Sequence, residues 1–345
     1  MSDQNLFAQQ ESNKRKSAWL VAGFLLFFAW IGFGGDLALY LGTRENPPEQ
    51  YRHVIPWIGL VAVGFAAVLT ATSWKSGAKR VLTATGAWEL IEPATDEQKR
   101  LRNVVEEMAI ASGLPVPRIW IVPDDDPNAF ATGRDPFAAH VAVTEGLLKR
   151  LDRDELQGVI AHEMSHIRNY DIRLMTLLAA LVGAIALLSD AMRQFLRFGG
   201  RVGGRSRGGR GKGGNPIAVV VLVVWLITLV LAPIVSSLLS MAVSRKREFL
   251  ADATCAQLTR NPIGLARALE KLAAEHAPTR TIARGAAHMC IVDPGHSRLA
   301  EREGFLGNML SSHPPMRVRL ARLRAMAYQA EKQGGVLPDP ADVAG

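Results

Sequence analysis

Nineteen residues without a charge, Ser17 to Gly35 (SAWLVAGFLLFFAWIGFGG), follow directly on Lys14, Arg15 and Lys16. A bilayer core takes about 20 apolar residues at 1.5 Å rise each, so this stretch is long enough to cross one. A cleaved leader has a shorter apolar region, about 7–15 residues, closed by an A-x-A-like site. No good site is evident, and the stretch reads as a retained anchor. Val54 to Trp74 is a second span of 21 residues. The connection GTRENPPEQYRH is short and holds two prolines, so residues 17–74 read as a transmembrane helical hairpin. Lysine and arginine set the orientation of such a hairpin. Three precede the first span, Arg44 and Arg52 lie in the connection, and Lys75, Lys79 and Arg80 follow the second. The excess places residues 1–16 and 75–173 in the cytosol.

Two further apolar stretches follow. Leu174 to Leu188 is 15 residues, marginal for spanning, and a buried core helix is the competing reading. Pro216 to Val243 runs 28 residues without a charge and is interrupted by Pro233. Between them, residues 193–215 carry Arg193, Arg197, Arg201, Arg205, Arg207, Arg210 and Lys212 and no acid. These seven account for nearly all of the net charge of +8. The basicity therefore belongs to one loop, which argues against a nucleic-acid-binding fold. If both stretches span, the loop lies outside, against the positive-inside tendency; if they form a shielded or re-entrant hairpin, it stays inside. Either arrangement returns residues 244–333 to the compartment of residues 75–173. The loop reads as a flexible membrane-proximal connection. Contact of 193–212 with anionic lipid head groups is a second reading, and RNA binding a third. Two cysteines, Cys255 and Cys290, make no disulfide framework.

The soluble parts alternate short elements. Leu101, Val104, Val105 and Met108 fall at i, i+3, i+4 and i+7 and predict a helix over 95–112. PRIWIVPD and AAHVAVTEGLL read as short strands separated by the turn-rich DDDPNAFATGRDP. Asp152 and Glu155 have the spacing of a capping box and predict the start of a helix. Beyond Ser244 the chain reads as helical to about Ala274, with a break at Asn261-Pro262, and a last helix runs from Pro315 to Gln333. Residues 334–345 read as a disordered tail.

The helix opened by Asp152 carries His162-Glu163-Met164-Ser165-His166. Four residues turn a helix by about 400°, so the two imidazoles face the same way, one turn apart. Both can then bind a Zn²⁺. Glu163 is rotated by about 100° from His162; it misses the metal but reaches a water held there, whose proton it takes as general base. The plain alternative is coincidence, but Ile160, Ala161, Met164 and Ile167 give this helix an apolar, buried face, where two unpartnered histidines are costly. A third ligand is needed. The residues after His166 lack H-x-x-G-x-x-H, which excludes a metzincin arrangement. In SRKREFLADA, Glu248 and Asp252 lie at i, i+4. Glu248 can complete a His₂Glu site, and Asp252 can hold the free N–H of a ligand imidazole.

At these residues the chain resembles the HtpX family of membrane-bound zinc metalloproteases, distant relatives of eukaryotic CAAX prenyl endoproteases. PNAFATG, AHEMSHIRNYD, SRKREFLADA and SSHPPMRVRLARL occur in the family's order, together with both apolar pairs, across residues 17–325. The resemblance implies a bacterial inner-membrane endopeptidase facing the cytoplasm, acting on misfolded or damaged membrane proteins and often linked to stress. It implies one zinc per chain held by His162, His166 and Glu248, with Glu163 as base and Asp252 behind a ligand. It further implies that Asn128 contacts substrate backbone beside an edge strand and that His313 stabilises the tetrahedral oxyanion; structural roles in a turn and a loop are the alternatives. The expected protein is mostly α-helical and integral to the membrane. It carries a gluzincin-like metalloprotease domain with a small β-sheet, split over 75–173 and 244–333, about four apolar membrane helices, and 174–243 as a membrane pair. A CAAX-type processing protease, a non-catalytic zinc-stabilised adaptor and an RNA-tethering protein are the rival functions.

Overall fold

The computed structural model describes residues 3–178, 245–274, 289–291 and 314–332. Two compact units divide the chain: one takes residues up to Ser17, those from Trp74 to Ala179 and those beyond Leu238, and the other takes Ala18–Ser73 with residues 180–237.

In the second unit the hairpin is built by α1 (Asp3–Thr43) and α2 (Trp57–Ala84), both of which run on into the first unit. Gln10–Thr43 and Trp57–Ala84 are long and apolar enough to cross a membrane. Trp19, Leu26, Val61 and Val68 are exposed, as lipid-facing side chains are. Phe24, Phe28 and Ala66 form a small core between the helices. The helices touch through glycine: a Cβ on Gly32 would lie 2.6 Å from Gly59 Cα and 2.8 Å from Ala62 Cβ. Membrane helices pack closest where residues are small. Both helices are longer than the spans expected from charge-free runs. α1 passes through Asp36, whose charge is met locally: it accepts N–H bonds from Ile58 (3.2 Å) and Gly59 (2.6 Å) at the start of α2 and lies 2.7 Å from His53 Nε2. An acid on a helix N-terminus is favourably placed, so Asp36 closes the hairpin and does not end the helix.

The first unit is a helical domain around a four-stranded mixed sheet. Its strands are β1 (Trp88–Glu89), β2 (Arg118–Val122), β3 (Ala129–Gly133) and β4 (Ala139–Thr144), in the order β1-β2-β4-β3. β2 and β4 run parallel with Trp120 opposite Ala142, and β3 returns antiparallel along β4 with Ala131 opposite Val141. β3 lies inside the stretch read from sequence as a turn. All five of its residues are buried, so it lacks the alternation that marks a half-buried strand.

The helices follow the sequence closely. α3 (Asp96–Ser112) starts at a Thr95 capping box and ends on Gly113 in the left-handed region at φ 68°. Its predicted face, Leu101, Val104, Val105 and Met108, is buried in the main core. After α4 (Glu145–Arg150), α5 (Arg153–Arg168) begins as expected: Asp152 Oδ1 accepts the N–H of Glu155 and Glu155 Oε2 accepts that of Asp152, both at 2.9 Å. α6 (Arg245–Thr259), α7 (Pro262–Ala274) and α8 (Met316–Lys332) complete the set. α5 packs against α3, α6 and α7. Its contact with α7 is backbone on backbone, since a Cβ on Gly158 would lie 2.6 Å from Leu265 N. Fully buried Leu156, Val159, Ile160 and Met164 hold it in the core, each worth roughly 1.5–3 kcal/mol. Of Leu174–Leu188, residues 174–178 are described; they are helical, and Leu174, Leu177 and Leu178 are buried. The rest of that stretch, Pro216–Val243, the basic loop and the tail lie outside the described residues.

Candidate metal centre

α5 delivers His162, Glu163 and His166 to one cavity, and α6 brings Glu248 to it from 82 positions beyond His166. The two Nε2 atoms of the histidines are 3.2 Å apart. Glu248 places one carboxylate oxygen 3.6 Å from His162 Nε2 and the other 3.5 Å from His166 Nε2. Zinc bonds of about 2.0–2.1 Å at tetrahedral angles put neighbouring ligand atoms about 3.3–3.4 Å apart. His162, His166 and Glu248 would together hold a single zinc ion. Among the described residues they form the one group of three or more His, Cys, Asp or Glu side chains converging in this way.

Each imidazole is held from behind. His162 Nδ1 lies 3.0 Å from Asp252 Oδ1, one turn beyond Glu248 on α6, as its i, i+4 spacing predicts. His166 Nδ1 lies 3.0 Å from Asp171 Oδ2. The His166 contact is a hydrogen bond and that of His162 an ion-pair contact; partners of this kind orient an imidazole that is to bind a metal. Asp171 was not singled out in sequence. α5 ends at Arg168 with Asn169 as its cap, and Tyr170 takes φ 59°, so the chain doubles back and presents Asp171 to the helix it has just left. Helical periodicity does not see across such a turn.

Arg319 of α8 was also missed, although it sits within the motif that carries His313. It is fully buried and makes two bonds to Asp252, Nε to Oδ2 at 2.9 Å and Nη2 to Oδ1 at 2.7 Å. Its Nη1 lies 3.7 Å from Glu248 Oε2. Burial pushes the Asp252 carboxyl up, but the Arg319 charge and the nearness of His162 outweigh it and hold it below the ordinary range. Burial likewise works against charge on His162, yet the carboxylates of Asp252 and Glu248 beside it prevail and push its pKa up to about 9. Arg247 approaches Asp171 Oδ1 at 3.7 Å.

Glu163 is buried and lines the cavity beside Ala131 of β3. Burial pushes its carboxyl up, against the pull of His162 and His166. The strand and the acid thus line the cavity together with Ile172, Met175 and residues 289–291. β3 is an edge strand by sheet order, but part of that edge is taken within the chain: Phe130 bridges Cys290, and Ile291 donates its N–H to Ala129 O at 2.9 Å. Asn128 opens β3. It is buried, its Oδ1 accepts the N–H of Ala129 at 3.0 Å, and its backbone pairs with Thr144. His313 lies outside the described residues.

A helix offering two imidazoles and an adjacent acid, completed by a glutamate from a second helix, defines a zinc metallopeptidase. The profile of Peptidase family M48 matches residues 95–327, and the chain belongs to that family. It is 42% identical to a protease HtpX homolog of Dictyoglomus thermophilum, over 92% of this chain and 93% of that protein. Identity is 38% to the protease HtpX homolog of Streptococcus gordonii and 36% to that of Lactobacillus acidophilus, each over 93% of this chain and 100% of the relative. The crystal structure of S. mikatae Ste24p is similar at a TM-score of 0.45 and 20% identity, covering 88% of this chain and 66% of that one. The two apolar helices accord with a multi-pass location in the bacterial inner membrane.

Proposed function

We propose that this metallopeptidase cuts unfolded segments of misfolded or damaged membrane proteins on the cytoplasmic face, with His162, His166 and Glu248 holding the zinc. The observation that carries this reading is the set of ligand separations, 3.2, 3.5 and 3.6 Å, with Glu163 in the same cavity. Zinc held there supplies Lewis-acid chemistry, acidifying water and polarising the scissile carbonyl. Glu163 takes the proton of the attacking water and delivers it to the leaving amine. A carboxyl raised by burial suits this shuttle, because general catalysis is most effective with a pKa near the working pH. Asp252 and Asp171 keep the two imidazoles oriented, and Arg319 keeps Asp252 in place. Substrate backbone extends beside β3, with Asn128 contacting it at the strand's start and His313 stabilising the oxyanion.

Four membrane crossings place both halves of the domain in the cytosol. The basic loop serves as a membrane-proximal connection between the last two crossings and not as a nucleic-acid-binding element. The test compares wild type with Glu163→Gln, purified without metal in detergent and then given zinc. The expected result is about one zinc in each and cleavage of an unfolded model protein by wild type alone, the variant losing about 100-fold or more. Zinc in both with cleavage by neither supports a zinc-stabilised adaptor instead; zinc in neither overturns the ligand assignment.

A further inference from the structure

The residues ahead of the first span, a plain flank by sequence, are helical in α1 and lie against the turn that follows α5. Asn13 is fully buried. Its Nδ2 donates to Asp171 Oδ1 at 2.6 Å and to Asn169 O at 2.9 Å. One turn earlier, Gln10 Nε2 donates to Arg168 O at 2.9 Å; one turn later, Ser17 is buried and its Oγ donates to Asn13 O. Lys14 Nζ lies 4.6 Å above the ring of Tyr170. Gln10, Asn13 and Ser17 share one helix face. Buried amide donors have to be matched by partners, and the turn 168–171 supplies them for Gln10 Nε2 and Asn13 Nδ2.

The partner that matters is Asp171. One of its oxygens faces Nδ1 of His166, and the other is shared between Asn13 Nδ2 at 2.6 Å and Arg247 Nη1 at 3.7 Å. Asn13 is thus the nearer of two groups pulling on the carboxylate that orients a ligand ring. Without it, Arg247 draws the carboxylate toward α6 and away from His166. We propose that Asn13 is a positioning residue of the metal centre, and that the part of α1 ahead of the span, through Asp171, sets how tightly His166 binds zinc. The inference rests on His166 being a ligand, as proposed above.

The test uses the full chain in detergent. Zinc affinity is measured by competition with a chromogenic chelator, and the site is read separately by the visible spectrum of the Co²⁺-substituted protein. Partners behind a ligand are worth about 10–100-fold in metal affinity. Asn13, one step further out, is expected to give a loss of about threefold to tenfold in both Asn13→Ala and the volume-keeping Asn13→Leu, with a changed cobalt spectrum. Gln10→Ala, which touches the same turn but not Asp171, is expected to stay within about twofold. In an Asp171→Asn background the Asn13 substitutions are expected to cost little more. Wild-type affinity and spectrum in both Asn13 variants would overturn the proposal, as would an undiminished loss in the Asp171→Asn background. Absence of zinc from the wild-type protein would instead sink the ligand assignment on which it stands.

Discussion

Arg319→Met removes the largest fully buried side chain among the described residues while nearly preserving its volume. The guanidinium makes two bonds to Asp252, approaches Glu248, and donates to Ile291 O at 3.3 Å. The variant leaves Asp252 buried with His162 beside it. Breaking a buried pair by deleting one partner costs about 3–5 kcal/mol. In a unit of this size each kcal/mol lowers Tm by about 2–4 °C, which gives a fall of roughly 6–20 °C. A second effect is specific to the site. Arg319 counters the rise that burial imposes on the Asp252 carboxyl, so without it the carboxyl is a poorer acceptor for His162 and zinc affinity falls by about 10–100-fold. Arg319→Lys keeps the charge but not the fork, and is expected to lie between. Scanning calorimetry of the zinc-loaded protein and chelator competition measure the two effects. A Tm loss below about 2 °C together with unchanged zinc affinity would refute the reasoning.

Gly158→Ala forces a methyl group into the backbone of Leu265, 2.6 Å away. It is expected to cost about 1–3 kcal/mol, read as a lower denaturant midpoint. Gly32→Leu wedges α1 from α2 at Gly59 and is expected to reduce disulfide cross-linking between cysteines placed on the two helices. Stripping zinc with a strong chelator is expected to lower Tm, since zinc at 100 times its Kd stabilises by about 2.7 kcal/mol; an unchanged Tm would mean that the folded site does not bind it.

The candidate metal site was legible because its residues obey one period. His162 and His166, and again Glu248 and Asp252, are i, i+4 pairs on helices whose caps or breaks are written in Asp152, Glu155 and Pro262. Asp171 was not legible, because the left-handed Tyr170 reverses the chain between it and His166. Arg319 is one of four arginines in RVRLARLR, and only packing shows that it is the buried one. β3 hid in a turn-rich stretch because its small residues are buried on both faces. Asp36 misled in the opposite direction. A charge at that position suggests the end of a span, but α2 offers its own N-terminus to hold it.

The acids around the centre have a consequence for protons. Among the described residues, Glu163, Glu248, Asp171 and Asp252 are buried and the guanidinium groups that face them are Arg247 and Arg319. The described acids thus outnumber the described guanidinium groups by two, a difference that one divalent cation complements. When no cation is held, a buried surplus of that kind is relieved by taking up protons, with the raised His162 and Glu163 the first to accept them. Zinc entry must then expel those protons. Loading the site is therefore also an acid-releasing reaction, and its measured heat will depend on the buffer that receives them.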